Sequence, residues 1–222
     1  MAGVVFIISL KELSQRSQLL RCAFLISLAY MLGYIGLSLY QDGDFNKIDW
    51  RMGIYFGINF VLLMFSYVLI YMMEKAFGYV SPITLVELSN INTPLLKKLS
   101  ETCPGTFQHS LQVSILASAA SAKIGADTQL VRTGALYHDI GKMKNPPFFT
   151  ENQMKGINPH RDLPFEQSAQ IIISHVTEGI KMAEKAGLPE AIIDFIRTHH
   201  GAGKAKYFYN SYCNAHPGEP VD

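Results

Sequence analysis

Apolar residues are concentrated in the first third of the chain. Residues 22–40 and residues 52–73 form two runs that contain no charged side chain. As α-helices, both runs are long enough to cross a hydrocarbon core about 30 Å thick. Tyrosine and tryptophan stand near the ends of the runs, where amphipathic rings favour a membrane interface. The pattern predicts a transmembrane helical hairpin, since two uncharged runs of this length rarely pack inside so small a soluble domain.

The charges that flank the two runs predict their orientation. Residues 11–21 hold three positive side chains and three lysines follow the second run, whereas the intervening loop holds three aspartates beside two positive residues. Because cytoplasmic flanks carry the excess of Lys and Arg, both ends of the hairpin are expected in the cytoplasm. Residues 1–10 are apolar but too short to span, and their first charge follows the run. We therefore interpret residues 1–21 as the end of a truncated membrane helix and a cytoplasmic loop.

The hydrophobic pattern beyond residue 103 has the period of α-helices. Helices are predicted over 106–124, with a stop at Gly125, over 128–139, with Asp127 as the N-cap, over 165–186 and from 188 to about 200. Residues 140–164, rich in Gly and Pro, are predicted to be largely loop. No segment alternates with period two for long enough to form a sheet. The predicted fold class is all-α, with a transmembrane hairpin, a linker over 74–103 and a helical domain over 104–222.

Composition excludes several classes of protein. Of the 222 residues, 49% are hydrophobic and 17% charged, and 19 Lys and Arg nearly cancel 18 Asp and Glu. A disordered chain needs low hydrophobicity and a high net charge. Binding to a nucleic-acid polymer through a broad basic surface is also disfavoured, so no such partner is expected. The three cysteines are too widely spaced for a disulfide framework or a zinc motif.

Histidines supply the candidate chemistry. None of the seven histidines falls in the hairpin, and five lie on predicted helices or at their ends: His109, His138, His175, His199 and His200. Asp139 follows directly after the second of these. Any one such histidine is most often structural, but together imidazole and carboxylate ligands suit iron, manganese or zinc, and a carboxylate can bridge two ions. The set therefore indicates a metal site without establishing one.

The order of these residues resembles that of the HD-domain metal-dependent phosphohydrolases, with His138 and Asp139 in the string YHDIGK. The hairpin that leads into PGTFQHS, the loops NPPFFTENQ and NPHRDLP, and the string IIISHVTEG are similar to the seven-transmembrane HD-domain family. Its PgpH-type members are membrane-bound cyclic di-AMP phosphodiesterases. The resemblance covers nearly the whole chain.

The resemblance implies a centre of two divalent metal ions, iron or manganese. His109, His138 and Asp139 would hold the first ion, and Asp139 would bridge to the second, which would be completed by three more residues: His175, His199 and His200. A metal-bridging hydroxide would attack the phosphorus atom. Lys142 would contact a phosphate oxygen, which makes Asp139 and Lys142 the expected catalytic residues.

One feature of the family pattern has no counterpart. The family carries a further aspartate ligand on a later helix, whereas the last residue, Asp222, is the only aspartate after His200. From the sequence we therefore expect a C-terminally incomplete HD domain with a weakened first metal site and little or no activity.

These features predict a multi-pass protein of the inner (plasma) membrane whose cytoplasmic HD domain hydrolyses cyclic di-AMP to linear pApA. The expected partners are a cyclic dinucleotide substrate and the lipid bilayer. One alternative is a phosphohydrolase of another nucleotide, such as cyclic di-GMP. Another is a non-catalytic, membrane-tethered nucleotide sensor, although a pure binder has no need of six metal ligands. The sequence leaves the base of the substrate, the native metal and the formation of a homodimer open.

Overall fold

The structure, a computed structural model, describes residues 16–154 and 156–217. Helices are the regular elements of this described part, and it contains no strand, as the sequence pattern predicts. The α-helices are α1 Arg16–Asp42, α2 Arg51–Phe77, α3 Pro82–Leu88, α4 Pro94–Thr102, α5 Pro104–Lys123, α6 Thr128–Tyr137, α7 Phe165–Lys185, α8 Glu190–Thr198 and α9 Lys206–Ala215. Short 3-10 helices cover Phe45–Lys47, Ile140–Lys144, Pro146–Phe148 and Thr150–Asn152. The membrane-helix end predicted over residues 1–10 lies outside the described residues, as does Asp222.

The chain divides between Glu87 and Leu88 into two compact units. The first contains α1 and α2, and both helices are long and apolar enough to cross a membrane, over Arg21–Asp42 and Arg51–Phe77. No residue in the most apolar window of α2 is buried, whereas a core helix of a soluble protein would bury most of its length. The exposed apolar surface of this helix is therefore suited to lipid.

Aromatic contacts and a capped loop hold the hairpin together. The rings of Phe24 and Phe60 lie 6.5 Å apart in an edge-on arrangement that joins the two long helices. At the turn, Gly43 has a φ of 64°, which a residue with a Cβ rarely adopts. Asp44 then accepts a hydrogen bond from the backbone N–H of Asn46 at 2.9 Å. These contacts reverse the chain within a short polar loop.

The second long helix continues beyond the predicted run of residues 52–73. It ends at Phe77 because Gly78 takes a left-handed conformation with a φ of 65°. The Glu74 carboxylate then accepts hydrogen bonds from the Ser81 N–H at 3.0 Å and the Thr84 hydroxyl at 2.8 Å. These bonds tie the last turns of α2 to the start of α3.

The second unit is a bundle of helices around a buried apolar core. Helix α5 packs against α4 and α6, α6 packs against α8, and α7 packs against α8, α9 and the Ile140–Lys144 turn. The most deeply buried apolar side chains come from several of these elements: Leu96, Leu99, Tyr137, Ile140, Ile192 and Ile196. The packing therefore places the end of α6 and the middle of α7 next to the Ile140–Lys144 turn.

Local signals account for the bounds of α5 and α6. Gly125, with a φ of 70°, follows the end of α5, and the Asp127 carboxylate accepts a hydrogen bond from the Leu130 N–H at 2.9 Å. The predicted N-cap is therefore confirmed. The predicted end of this helix at Asp139 is wrong by two residues, because α6 ends at Tyr137 and the chain turns into a 3-10 helix. Helix α9 was not predicted, since its Tyr, Phe, Asn and Ser residues are weak helix formers.

Candidate metal centre

Asp139 lies at the centre of the candidate site. It follows the last turn of α6 with φ −110° and ψ 14°, so its side chain leaves the direction of the helix. The carboxylate is almost completely buried, with 3% of the side chain exposed. A buried carboxylate needs hydrogen bonds, cationic partners or metal ions to offset the loss of hydration. The surroundings of its two oxygens therefore indicate what this site can bind.

Imidazole nitrogens surround both oxygens of Asp139. Oδ2 lies 3.0 Å from Nε2 of His138 and 3.9 Å from Nε2 of His109. Oδ1 lies 3.4 Å from Nε2 of His175 and 3.6 Å from Nε2 of His199. One carboxylate thus faces two groups of histidines, one group on each oxygen.

The structure brings all six of the predicted ligands together in two groups that share Asp139. One group combines Asp139 with His109 and His138. The other combines it with three residues from α7 and the end of α8: His175, His199 and His200. Within each group the candidate ligand atoms lie within 4.8 Å of one another. The first and last of these residues are far apart in the chain, so the fold creates this proximity.

Backbone carbonyl groups orient three of the imidazole rings. Nδ1 of His138 donates to the Ala135 carbonyl at 2.7 Å, and Nδ1 of His199 donates to the Ile196 carbonyl at 2.8 Å. His175 makes the same bond to the carbonyl of the residue three positions earlier, Ile172. Because a carbonyl oxygen only accepts, the proton is on Nδ1 in each ring. When such a ring is neutral, its Nε2 offers a lone pair on the side of Asp139, which is the arrangement typical of metal-binding histidines.

Two observations indicate that a cation fits between these groups. Within the described residues, the buried Oδ1 of Asp139 has no hydrogen-bond partner. Nε2 of His175 and Nε2 of His199 approach to 3.3 Å although both carry lone pairs. A divalent ion bound to all three atoms would satisfy the oxygen and remove the repulsion between the nitrogens. Nitrogen and carboxylate donors of this kind suit zinc, iron and manganese.

Burial and charge shift the pKa values of these groups in different directions. Burial alone would raise the pKa of Asp139, but the adjacent His138 and His199 and the charge of Lys142 lower it. Burial disfavours the charged form of His138, yet the neighbouring Asp139 outweighs that effect and raises its pKa. Burial and the adjacent histidines lower the pKa of His200 to about 4. The site therefore holds an ionised carboxylate beside a neutral His200, and a metal ion bound at His138 would replace the proton that Asp139 favours there.

Lys142 is paired with two carboxylates. Its Nζ lies 2.9 Å from Oδ2 of Asp139 and 2.8 Å from Oε1 of Glu151. The ammonium also lies 5.0 Å from the centre of the Phe149 ring. An ammonium group carries three N–H donors, so these two carboxylates leave one donor for the predicted contact with a phosphate oxygen. Sequence reasoning missed Glu151, although it belongs to the FFTENQ string that carried part of the family resemblance.

The loop that carries Glu151 is attached to the start of α5. Glu151 accepts a hydrogen bond from the Thr106 hydroxyl at 3.0 Å, and the side chain of Asn152 accepts one from the Thr106 N–H at 3.2 Å. Gly105 allows this approach, because a Cβ there would overlap the Glu151 carbonyl group. His109 lies on the same helix, one turn later. The loop that carries Glu151 and the side chain of His109 are therefore both positioned by α5.

Gly141 fixes the distance between Asp139 and α7. A Cβ at this position would overlap the carbonyl oxygen of His175 and lie 2.5 Å from the backbone nitrogen of Gly179. The turn and the helix therefore touch backbone to backbone, which only a glycine permits. This contact explains why a glycine follows two residues after Asp139 in the YHDIGK string.

The other histidines and cysteines take no part in the two groups. Nε2 of His160 bonds to the Phe148 carbonyl at 2.8 Å, and its ring lies 4.8 Å from that of Phe208, which indicates a structural role. His216 is exposed at the end of α9. Cys103 is buried, and burial with the nearby Glu151 raises its pKa to about 11, so the thiol is unreactive at neutral pH.

Comparison with known families agrees with the geometry in both parts of the chain. The family described as "HD domain" matches residues 106–221. The family described as "7TM receptor with intracellular HD hydrolase" matches residues 1–81. The first match includes all six residues of the two groups, and the second includes both apolar helices.

Curated relatives extend the comparison. The chain is 38% identical over 211 residues to the cyclic-di-AMP phosphodiesterase PgpH of Listeria monocytogenes, covering 94% of this chain and 29% of the relative. It is 36% identical over 212 residues to the PgpH of Bacillus subtilis, covering 94% of this chain and 30% of the relative. The chain thus spans less than a third of the length of these relatives.

A solved structure is also similar. The crystal structure of the HD domain of L. monocytogenes PgpH in complex with cyclic di-AMP is 47% identical, with a TM-score of 0.57. The match covers 59% of this chain and 61% of that domain. Since the HD-domain family matches more than half of its residues, the chain belongs to the HD-domain family.

Proposed function

We propose that this chain belongs to a membrane-anchored, metal-dependent phosphodiesterase that hydrolyses cyclic di-AMP to linear pApA. The observation that carries the proposal is the convergence of five imidazoles on the two oxygens of a buried carboxylate. Structural aspartates rarely have this environment, since one oxygen of Asp139 lacks a hydrogen-bond partner among the described residues. The proposal therefore starts from the metal centre and adds the substrate afterwards.

The proposed centre holds two divalent ions, iron or manganese. His109, His138 and Asp139 would bind the first, and the second would be bound by Asp139 with three histidines: His175, His199 and His200. Such ions, when bound, lower the pKa of water and stabilise negative charge that develops at phosphorus. Asp139 contributes one oxygen to each group, and its low pKa keeps both available as ligands at neutral pH. The carbonyl bonds to Nδ1 keep the rings in the orientation that binding needs.

The reaction consumes one water for each linkage that is opened. The water oxygen bonds to phosphorus, the bond from phosphorus to the 3′ oxygen breaks, and the leaving oxygen takes a proton. The product keeps a 5′ phosphate and gains a free 3′ hydroxyl group, which is linear pApA. Lys142 is the cationic side chain next to Asp139, and we propose that it helps to hold a phosphate oxygen of the substrate.

The choice of substrate rests on similarity. The PgpH relatives carry the name of cyclic-di-AMP phosphodiesterases, and the similar crystal structure contains that nucleotide. The 47% identity of the HD domains supports a related pocket. No residue of this chain identifies the base by itself, so cyclic di-GMP stays as the competing substrate.

The proposed location is the inner membrane, crossed more than once, with the HD unit in the cytoplasm. The charges flanking α1 and α2 support this orientation. So does the description of the matched family as one with an intracellular HD hydrolase. A cyclic dinucleotide made in the cytoplasm would then reach the metal centre without crossing the bilayer.

Hydrolysis of the two cyclic dinucleotides tests the proposal. The chain, extended past residue 222, is purified in detergent, stripped of metal with a chelator and supplied with Mn²⁺ or Fe²⁺, and products are separated by chromatography. We expect pApA from cyclic di-AMP, no product without metal, and none from Asp139→Asn. His216→Ala, an exposed histidine outside both groups, is the matched control and should retain full turnover.

Two outcomes would favour the alternatives. Faster hydrolysis of cyclic di-GMP than of cyclic di-AMP would reassign the substrate. Tight binding of cyclic di-AMP without turnover under any metal would identify a sensor instead of an enzyme.

A further inference from the structure

The Lys142 ammonium shares an oxygen with the first group of candidate metal ligands. Its Nζ lies 2.9 Å from Oδ2 of Asp139, the same atom that lies 3.0 Å from Nε2 of His138. Only 14% of the lysine side chain is exposed. The ammonium and a divalent ion bound through Oδ2 would therefore compete for one carboxylate oxygen, and they would repel each other.

Glu151 offers the ammonium a second acceptor. Its Oε1 lies 2.8 Å from Nζ of Lys142 and accepts a hydrogen bond from the Thr106 hydroxyl at 3.0 Å. Glu151 belongs to the Thr150–Asn152 turn, which packs on α5 and is held there by the Asn152 side chain. The position of this carboxylate is therefore set by α5 and does not depend on Asp139.

We propose that Glu151 is a positioning residue that holds the Lys142 ammonium, so that Asp139 can bind a divalent ion while the lysine keeps a partner. The inference rests on the proposed metal centre and adds a residue that controls its affinity. The negative charge of Glu151 offsets the repulsion between the ammonium and the ion. Without that charge, Lys142 would depend on Asp139 alone and would compete more strongly with the ion.

The proposal predicts opposite effects for the two partners. Glu151→Gln keeps an oxygen acceptor for Thr106 but removes the negative charge. Mn²⁺ should therefore bind to the first group, which uses Oδ2 of Asp139, about 10-fold less tightly. This is the loss typical when residues that support metal ligands are replaced. Lys142→Met removes the competing cation, so binding should become tighter. In the Lys142→Met background, Glu151→Gln should cause no further weakening, because the residue through which it acts is absent.

The experiment is a titration of the full chain in detergent with Mn²⁺ alone, with free Mn²⁺ measured by electron paramagnetic resonance. The four proteins of the cycle are compared at one pH and one ionic strength, and circular dichroism confirms that each is folded. Glu184→Gln, an exposed glutamate on α7, is the matched control and should bind Mn²⁺ as the unmodified chain does. If Glu151→Gln does not fold, tighter binding by Lys142→Met still tests the proposed competition.

The outcomes separate this inference from the proposed function. If the unmodified chain binds no Mn²⁺, the metal centre and this inference are both wrong. If it binds Mn²⁺ but Glu151→Gln has unchanged affinity, only the inference is wrong. Equal weakening by Glu151→Gln with and without Lys142 would also overturn it, because the glutamate would then act independently of the lysine. Weaker binding by Lys142→Met would contradict the competition itself.

Discussion

Replacement of Gly141 by alanine tests whether the contact between the 3-10 turn and α7 sets the geometry of the centre. The added Cβ would lie 2.5 Å from the backbone nitrogen of Gly179, whereas ordinary van der Waals contacts begin near 3.4 Å. Backbone atoms cannot move aside as a flexible side chain can. The Cβ would overlap the His175 carbonyl oxygen still more, so the turn and the helix must separate by at least about 1 Å, which moves Asp139 away from His175.

This separation has two measurable costs. Overpacking against a buried backbone typically destabilises a protein by about 1–3 kcal/mol. For a unit of this size we expect the melting temperature to fall by roughly 5 °C. A misplacement of about 1 Å among catalytic groups typically lowers the rate about 100-fold, so hydrolysis of cyclic di-AMP should fall by about that factor.

The assay compares Gly141→Ala with Gly33→Ala in detergent, both in the chain extended past residue 222. Gly33 lies in α1, and no atom lies within 4 Å of a Cβ at that position. That variant should be unchanged or more stable by about 0.5–1 kcal/mol, because alanine favours a helix over glycine. If Gly141→Ala keeps both the melting temperature and the hydrolysis rate of the unmodified chain, the close approach does not set the site.

Three further predictions concern other parts of the chain. His175→Ala should lower the metal content after dialysis, because it removes a ligand from the group with more histidines, while His216→Ala should leave the content measured by elemental analysis unchanged. A cysteine at Asn46 should react with a membrane-impermeant reagent in intact cells, and labelling of one at Lys204 instead would contradict the proposed orientation. Tyr137→Phe should lower the free energy of unfolding by about 1–2 kcal/mol in denaturant titrations, because the buried hydroxyl loses two hydrogen bonds. An unchanged midpoint would mean that water replaces them.

The sequence by itself determined the elements of this protein. Helical periodicity, Gly125 and the Asp127 cap predict α5 and α6, and two uncharged runs predict α1 and α2. These signals are local, since a helix closes its hydrogen bonds within four residues. The order of the histidines also predicted the HD-domain family, because a family resemblance depends only on residue types and their order along the chain.

Only the tertiary structure decided how these residues meet. The division of the Asp139 oxygens between two groups of histidines depends on the early end of α6 and on the backbone contact at Gly141. The pairing of Lys142 with Glu151 depends on a loop attached to α5. Helix α9, in which weak helix formers predominate, packs against α7. Each of these features joins segments that are distant in the chain, and packing, rather than any periodicity in the sequence, brings such segments together.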